Sequence, residues 1–422
     1  MIEIIKGQDF ENPESRAIGG DAKLTKSVAD IIGAVQRRGD AAILELTKKI
    51  DNISLENIRV DYDTLLQAEK SLDPSTRDIL KQAVTNVREF HTKQIATSWQ
   101  DEFDDGTRLG ELVRPIDRAG IYVPGGTASY PSTLIMNVIP AMLAGVPAIT
   151  VASPPQENGL PNPIIMALCC LLEINEVVAA GGALAIAAMA YGTKTILPVC
   201  KITGPGNKYV AEAKRQVFGH VGIDSIAGPS EILILHDDTD VPIEFIVRDL
   251  LSQAEHDEEA QSILVTSSEE TAHQVLDRIN ELVPTLPRKE IIEASLKNHG
   301  QIVIMEDIHE GIAITNAVAP EHLELLVKDN KIIDKIRNAG AIFVGQWSTE
   351  AVGDYFAGPN HTIPTNGAAR YGSPLSVRDF QKRSSLIEYS KDRLLRQGEQ
   401  IAKFAEIEDL PAHAAAVRAR LT

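Results

Sequence analysis

The fold class is decided by residues 120–153, which read GIYVPGGTASYPSTLIMNVIPAMLAGVPAITVAS. The short apolar runs at the two ends of this stretch are rich in β-branched residues and bounded by Gly or Pro, which is typical of strands buried on both faces. The apolar run between them is long enough for a helix. The stretch therefore predicts a strand–helix–strand unit, which joins parallel strands.

The same alternation continues towards the C-terminus. Further strand-like runs are EVVAAGG (176–182) and KTILPV (194–199), and a second series after Pro229 contains EILILHD, SILVTS, QIVIME and AIFVGQW. Apolar stretches of helical length separate them. We therefore predict an α/β protein with two doubly wound, parallel-sheet units of similar size.

Helical patterns flank these units. Apolar residues spaced three and four apart predict helices from Thr25 to about Lys93, with a break at Gly39. Before them, MIEII is a short strand candidate. From about Val377 the chain becomes more charged, and we predict a wholly helical C-terminal segment.

Composition excludes several classes of protein. The 422 residues include 41 Lys plus Arg and 59 Asp plus Glu, a net charge of −18 that disfavours nucleic-acid binding. The three cysteines, Cys169, Cys170 and Cys200, suggest neither a disulfide framework nor a thiolate zinc site. The N-terminus does not resemble a signal peptide, and the longest apolar stretches are broken by Pro and Gly. We expect a cytoplasmic protein that does not associate with membranes.

Four glycine turns follow predicted strands: VPGGTAS, AAGGALA, TGPGN and IAGPS. Ligands of open α/β sheets bind where strands end, and glycine allows the backbone to approach a ligand closely. None of the turns is a G-x-G-x-x-G motif or a P-loop. On their own, these turns could either bind a nucleotide or be ordinary turns without a ligand.

Two polar pairs are candidates for chemistry. Gln253 and His256 are three residues apart in RDLLSQAEH, so they share one face of a predicted helix and could bind a metal or form a solvated helix end. Glu321 and His322 are adjacent in AVAPEHLELLV, where they could transfer protons or form a surface corner.

A long irregular segment follows, EAVGDYFAGPNHTIPTNGAARYG, and such segments in compact enzymes are usually functional. It contains Asp354 and His361 as candidate ligands. Near the C-terminus, His413 lies beside a predicted helix start with Glu408 close by, a position where a lone His is ordinarily a solvated cap.

Taken together, these strings resemble the histidinol dehydrogenase family. The resemblance rests on GIDSIAGPSEILI, RDLLSQAEH, APEHLEL, GDYFAGPNHTIPTNGAARY and SVRDFQKR, which occur in the family's order, and it extends from the RGDAAILELT helix to LPAH. It implies an NAD-dependent alcohol and aldehyde dehydrogenase of histidine biosynthesis. Such an enzyme oxidises L-histidinol through L-histidinaldehyde to L-histidine and reduces two NAD per turnover.

The resemblance also implies the residues of the site. One zinc ion per site would be bound by Gln253, His256, Asp354 and His413, and would orient the substrate through its imidazole and amino nitrogens. His322 would take the alcohol proton, and Glu321 would activate the water that attacks the aldehyde. Substrate contacts would come from Ser230, Gln253, His256, His322, Asp354, Tyr355, His361, Glu408 and His413.

Tyr122, Leu184 and Asn207 match the family positions that contact NAD. The family usually has Gln where this chain has Leu184, so we expect NAD binding to be weaker by about 1 kcal/mol if one neutral hydrogen bond is missing. Replacing Leu184 with Gln is then expected to lower the Michaelis constant for NAD several-fold.

Finally, the resemblance implies a homodimer whose C-terminal tail completes the partner's site, so that Glu408 and His413 act across the interface. The two units would be incomplete Rossmann-like domains, one inserted in the other. The expected boundaries are an N-terminal segment (1–20), a discontinuous first domain (21–121 and 231–375), a second domain (122–230) and a helical dimerisation tail (376–422).

Three other functions fit parts of the pattern. A paralogue with the same zinc and NAD could oxidise another primary alcohol, such as a sulfonated diol. A zinc hydrolase would leave the glycine turns without a purpose. A non-catalytic, zinc-stabilised dimer would make Glu321 and His322 dispensable.

Overall fold

The computed structural model describes residues 2–11, 21–125, 129–226, 228–237 and 240–421. Within them the chain forms a six-stranded and a five-stranded parallel sheet, together with a small antiparallel sheet of three strands. Two parallel sheets covered by helices confirm the predicted α/β class.

The six-stranded sheet combines the start of the chain with its second half. Its strands are β1 (Glu3–Lys6), β9 (Glu231–Asp237), β10 (Gln261–Thr266), β11 (Gly300–Ile304), β12 (His322–Val327) and β13 (Ala341–Val344), in the order β1-β11-β10-β9-β12-β13. One face is covered by α9 (Ile243–Ala254), α10 (Glu269–Leu282) and α11 (Lys289–His299), and the other by α12 (Ile308–Val318). The short helix α13 (Glu350–Tyr355) follows β13.

The five-stranded sheet is formed by the part of the chain between β1 and β9. Its strands are β4 (Ala119–Tyr122), β5 (Ile149–Ser153), β6 (Glu176–Ala179), β7 (Lys201–Thr203) and β8 (Gly222–Ile223), in the order β6-β5-β4-β7-β8. Helices α5 (Pro131–Leu143) and α6 (Pro163–Leu171) pack on one face, and α7 (Gly182–Tyr191) and α8 (Lys208–Val217) on the other. One unit is therefore inserted in the other, as predicted.

Four helices precede this sheet: α1 (Ala22–Arg38), α2 (Asp40–Asp51), α3 (Tyr62–Lys70) and α4 (Pro74–Thr92). The predicted break at Gly39 is present. Helix α4 begins at Pro74, because Asp73 Oδ2 accepts a hydrogen bond from Thr76 N–H at 2.9 Å and Pro74 occupies the first turn.

The packing of these helices differs from the expected domain boundaries, which grouped residues 21–121 with 231–375. Helix α1 packs on α7 and α8, α3 packs on α6, and α4 packs on α5. The reason is that the helices beneath them are apolar on more than one side and need covering there: α7 is buried from Ala183 to Ala190, α5 from Thr133 to Ala141 and α6 from Ile165 to Cys169. The N-terminal helices supply that outer layer, so they belong with the five-stranded sheet.

One predicted strand is absent. The run KTILPV forms turns, in which Thr193 N–H donates to Ile196 O at 2.7 Å, and strand β7 starts only at Lys201. Pro198 has no N–H for a sheet ladder, so the strand forms after it.

The predicted wholly helical tail is also partly wrong. Residues Gln381–Glu388 form β14, which pairs antiparallel with β3 (Arg108–Pro115), and β3 in turn pairs with β2 (Trp99–Glu102). Helices α14 (Lys391–Ile407) and α15 (Pro411–Arg418) follow. The sequence QKRSSLIE shows no regular apolar alternation, so this strand owes its formation to the ladder with β3.

The segment from Phe356 to Phe380 connects the two units. Asn360 Nδ2 donates to Met136 O at 2.6 Å on the smaller unit, and Gly228 N–H donates to Thr365 Oγ1 at 2.6 Å. The segment is thus anchored beside the start of β9. In the ranges that the structure describes, no helix is both long and apolar enough to cross a membrane.

Candidate active site

The predicted catalytic residues lie at the amino-terminal edge of the six-stranded sheet. Glu321 directly precedes β12 and His322 begins it, while Ser230 directly precedes the neighbouring strand β9. Helix α9 runs back across the sheet, so its last turn brings Gln253 to the same edge. The fold therefore brings together side chains that are far apart in the sequence.

The main chain of Glu231 holds the acid and the base. Its N–H donates to Glu321 Oε2 at 2.9 Å, and its carbonyl oxygen lies 3.0 Å from His322 Nδ1. Because a carbonyl oxygen can only accept, Nδ1 carries the hydrogen of the neutral ring. The lone pair is then on Nε2, which is the atom that can take a proton.

Burial is the main influence on both groups. It raises the pKa of Glu321 well above its ordinary value, and the negative charges of Glu231 and Asp354 raise it further, while hydrogen bonds from Glu231 N–H and the Ser230 side chain oppose the shift. Burial lowers the pKa of His322 to about 3, and the charges of His256 and His361 act in the same direction. His322 is therefore a neutral base at pH 7.

Gln253 is fully buried, and its amide lies 3.2 Å from His322 Nδ1. With its nitrogen turned towards the nearby acceptors, the amide has Glu350 Oε1 at 3.3 Å, Glu231 O at 3.2 Å and His322 Nδ1 at 3.2 Å, and since Nδ1 carries a hydrogen, its two N–H groups donate to Glu350 and Glu231. In that orientation the amide oxygen faces away from these acceptors. It is then available to bind a cation.

Three further residues lie close to the pair of Glu321 and His322: His256, Asp354 and His361. His256 follows the end of α9, and Asp354 lies in the last turn of α13 rather than in an irregular loop as expected. His256 is exposed at the surface, although desolvation by neighbouring atoms lowers its pKa. Burial raises the pKa of Asp354 to about 6.

These residues have the chemistry of a metal site. An imidazole and a carboxylate are donor types that zinc accepts, and the amide oxygen of Gln253 is a weaker ligand that could add to them. The negative charges of Glu321, Glu350 and Asp354 raise one another's pKa values or those of their neighbours, and a cation among them would relieve this repulsion. Across the described ranges, no three His, Cys, Asp or Glu side chains form a metal site. Of the four expected ligands, only His256 and Asp354 are of these residue types and lie near one another in a single chain.

The structure also shows two buried acids and one half-buried acid that the sequence analysis did not single out. Asp249 on α9, Glu324 on β12 and Glu350 on α13 have pKa values raised mainly by burial. Thr349 Oγ1 donates to Asp249 Oδ1 at 2.6 Å, and Glu350 N–H donates to Glu324 Oε1 at 3.3 Å. These contacts tie together the three elements that present Gln253, His322 and Asp354. A Glu within the apolar run HLELLV was the signal available in the sequence.

Two predicted substrate contacts differ in exposure. Tyr355 is 59% exposed and leaves one side of the site open to solvent. His361 is half-buried, and its Nε2 is a buried atom that lacks a hydrogen-bond partner among the residues that the structure describes. A buried polar atom of this kind is normally satisfied, and a bound ligand could do so.

The two predicted residues of the tail lie elsewhere. Glu408 ends α14 and His413 is in α15, and both are exposed. In the parts of the chain described, neither forms a hydrogen bond or ion pair with Glu321 or His322. A single chain therefore assembles the predicted site without these two residues.

The predicted NAD contacts gather at the carboxyl edge of the five-stranded sheet. Tyr122 ends β4, and its hydroxyl accepts a hydrogen bond from Gly182 N–H at 3.1 Å at the start of α7. Leu184, in the same first turn, is only 3% exposed and belongs to an apolar cluster with Tyr122. Asn207 caps α8 by accepting from Tyr209 N–H at 3.1 Å.

A two-unit α/β fold, with an acid–base pair in one unit and glycine turns at the carboxyl edge of the other, fits an enzyme of the dehydrogenase class. The model of the histidinol dehydrogenase family matches residues 15–421. The chain therefore belongs to the histidinol dehydrogenase family, whose members are oxidoreductases that use NAD.

Individual relatives agree with this assignment. The histidinol dehydrogenase of Bacillus licheniformis is 49% identical over 99% of this chain and 98% of its own length. That of Bacillus subtilis is 47% identical over the same shares of the two chains. The crystal structure of histidinol dehydrogenase from Elizabethkingia anophelis superposes with a TM-score of 0.91 at 38% identity, covering 96% of this chain and 94% of the other.

Proposed function

We propose that this protein is a zinc-dependent enzyme that oxidises L-histidinol through L-histidinaldehyde to L-histidine and reduces two NAD per substrate, as the last steps of histidine biosynthesis. The observation that carries the proposal is the buried pair of Glu321 and His322, oriented by the main chain of Glu231. Family membership supports the choice of substrate. A cytoplasmic location stays a prediction, supported by three free cysteines.

Gln253, His256 and Asp354 would bind the zinc ion, with His413 of a second chain as the fourth ligand. Zinc, when bound, supplies a positive charge that holds the imidazole and amino nitrogens of the substrate in place. The repulsion among buried carboxylates supports a cation at this position.

In the first oxidation, His322 acts as the base. Its Nδ1–H is held by Glu231 O, so Nε2 accepts the proton of the substrate hydroxyl while the hydride of the adjacent C–H passes to NAD. The low pKa of His322 ensures that Nε2 is free at neutral pH.

In the second oxidation, Glu321 takes a proton from the water that attacks the aldehyde carbon. Because that proton stays on Glu321, the product is the anion of the hydrate, which passes its hydride to a second NAD and becomes the carboxylic acid. Burial makes Glu321 a stronger base than an exposed carboxylate once it is ionised, and the positive charge of the substrate would favour that ionised form.

The remaining substrate contacts would be Ser230, Tyr355, His361 and the Glu408 of a second chain. His361 Nε2 supports this part of the proposal, because it is buried and free to bond to a ligand. A carboxylate at Glu408 suits the ammonium group of the substrate.

The partner chain of the proposed homodimer would supply its tail. The tail exposes large apolar side chains, among them Ile387 at 71%, Phe404 at 64% and Ile407 at 72%. If these side chains form one apolar patch on the tail, a partner chain is what would cover it. With Glu408 and His413 also exposed, the tail is the natural element to complete the site of a second chain.

The stoichiometry of the reaction tests the proposal. Zinc-loaded protein with limiting L-histidinol and excess NAD should form two NADH per histidinol consumed, with histidine as product. The Glu321→Gln variant should retain the first oxidation and release histidinaldehyde. One NADH and free aldehyde from the unaltered protein would contradict the role of Glu321, and no NADH from protein shown to hold zinc would redirect the search to another primary alcohol.

Mixing two inactive variants tests the shared site. His413→Ala has an intact acid–base pair but a defective tail, and Glu321→Ala has the reverse. Random exchange of subunits should restore about a quarter of the unaltered activity, since half the dimers are mixed and each has one intact site. Proven exchange of subunits without recovered activity would contradict the sharing of tails.

A further inference from the structure

An ion pair is buried beneath the TGPGN turn of the five-stranded sheet. Lys214, on α8, is 2% exposed, and its Nζ lies 2.5 Å from Asp224 Oδ1. The same ammonium group donates to Gly204 O at 2.5 Å. The other oxygen of Asp224 accepts from Gly204 N–H at 2.8 Å. The pair therefore holds both polar groups of a single glycine.

Gly204 is held in a conformation that needs this support. Its φ is +115°, a region that side-chain-bearing residues rarely adopt, and a Cβ at this position would lie 2.0 Å from Tyr122 O. The turn thus packs directly on the end of β4. Three residues later, Asn207 caps α8, so the turn is fixed at both ends.

The ion pair of Lys214 and Asp224 contributes little to the stability of the fold, so its main effect is to position Gly204. The two side chains are only 3% and 5% exposed, and removing such charges from water costs about as much as their attraction returns. An apolar pair would stabilise the core equally well. What an apolar pair could not do is hold the N–H and the carbonyl of Gly204.

We propose that Lys214 and Asp224 form a positioning pair for NAD, which sets residues 204–207 in the shape that receives the dinucleotide before it binds. The inference rests on the proposed function only in taking NAD to bind at this edge of the sheet. Neither side chain is required to touch the cofactor. The pair acts by lowering the cost of ordering the turn on binding.

The first test is the Lys214→Met variant. Its dissociation constant for NADH, measured by fluorescence titration, and its KM for NAD should rise about tenfold or more, because the turn is no longer set in advance. The KM for histidinol, the zinc content and kcat at saturating NAD should change by less than about twofold. A rise in the KM for histidinol of the same size would indicate general damage and overturn the proposal.

A matched control exists in the same sheet. Arg118, before β4, pairs with Glu176 at the start of β6, so this partly buried ion pair lies at the opposite edge from the turn. The Arg118→Met variant should lower the Tm about as much as Lys214→Met does. It should nevertheless bind NADH as tightly as the unaltered protein. Equal weakening of NADH binding in both variants would contradict a specific role for Lys214.

Two further measurements keep the test decisive if Lys214→Met fails to fold. The Asp224→Asn variant keeps an acceptor for Gly204 N–H and should weaken NADH binding less than Lys214→Met. In the unaltered protein, hydrogen exchange should show the Gly204 amide protected without NADH, because Asp224 accepts its hydrogen bond. Exchange at Gly204 that slows only when NADH is added would overturn the proposal. NADH binding that depends on Lys214 in a protein that does not oxidise histidinol would support the pair while refuting the proposed substrate.

Discussion

The two parallel sheets of this protein place their candidate functional residues at opposite edges. In the six-stranded sheet, Glu321, His322 and Ser230 lie where strands β12 and β9 begin. In the five-stranded sheet, Tyr122 and the turn before Asn207 lie where strands β4 and β7 end. The carboxyl edge is the usual ligand edge of open α/β sheets, so the six-stranded sheet is the one that departs from the rule.

The difference indicates that the six-stranded sheet carries the candidate acid–base residues and the five-stranded sheet carries the candidate NAD site. At the amino edge the functional groups are charged or titratable side chains, buried and held by the first backbone groups of a strand. At the carboxyl edge the functional groups are backbone groups of a glycine turn, and Lys214 and Asp224 form hydrogen bonds to the carbonyl and N–H of Gly204. Changes at the first edge should therefore alter turnover, and changes at the second should alter the binding of NAD.

Removal of the proposed zinc ion should have the largest effect and should alter only the first edge. Treatment with a chelator should abolish the oxidation of histidinol, because the substrate loses the ligand that orients it, and added zinc should restore activity. The affinity for NADH, measured by fluorescence titration, should stay within about twofold. A parallel loss of NADH binding would show that the two edges are not independent.

The next largest effect is expected from His322→Asn. Without the base that receives the hydroxyl proton, kcat should fall about 10²–10⁴-fold, while the KM for NAD is unchanged. The His309→Asn variant is the control, since His309 is exposed at the start of α12 in the same unit. Steady-state kinetics that leave kcat within threefold would exclude His322 as the base.

A smaller effect should follow from loosening the segment that carries His361. Glu231 Oε1 accepts from Asn366 N–H at 3.0 Å, so Glu231→Ala should free this segment and lower kcat/KM for histidinol about ten- to hundredfold. Glu231→Gln keeps the acceptor and should lose much less. If the Gln variant is as impaired as the Ala variant, the negative charge of Glu231 matters rather than this hydrogen bond.

The smallest effect concerns the second edge. Leu184→Gln should lower the KM for NAD several-fold by restoring a hydrogen bond worth about 1 kcal/mol. Because Leu184 is 3% exposed among apolar side chains, the same change should lower the Tm of the free protein. Leu184→Met, which keeps the apolar contact, should leave both values as they are. An unchanged KM in the Gln variant would remove position 184 from the NAD site.

Much of the fold could be predicted from local sequence. The apolar runs EILILHD and SILVTS form buried strands because helices cover both faces of their sheet, and the break at Gly39 follows from the freedom of its backbone. These features depend on residues that are close together in the chain.

The features that could not be predicted depend on distant partners. Strand β14 exists because β3 pairs with it, and helices α1, α3 and α4 pack on the smaller unit because the helices beneath them, α7, α6 and α5, are largely buried and apolar. Likewise, nothing in the sequence near Glu231 shows that its main chain orients residues ninety positions further on. The tail of Glu408 and His413 has its proposed role only when a second chain is present.

The position of β1 in its sheet has a consequence for synthesis of the chain. Ile4 pairs with Ile302 on β11, so the first strand made must wait for nearly three quarters of the protein before its partner exists. Closing so long a loop costs little more than closing a short one, since each doubling adds only about 0.6 kcal/mol, but it delays the contact. The sheet and covering helices of the inserted unit can meanwhile begin to form, because they lie within one continuous stretch, and Leu375, Val377 and Phe380 complete its core later. The waiting strand is only four residues long and has the charged residues Glu3 and Lys6 at its ends, and both properties discourage pairing with other nascent chains.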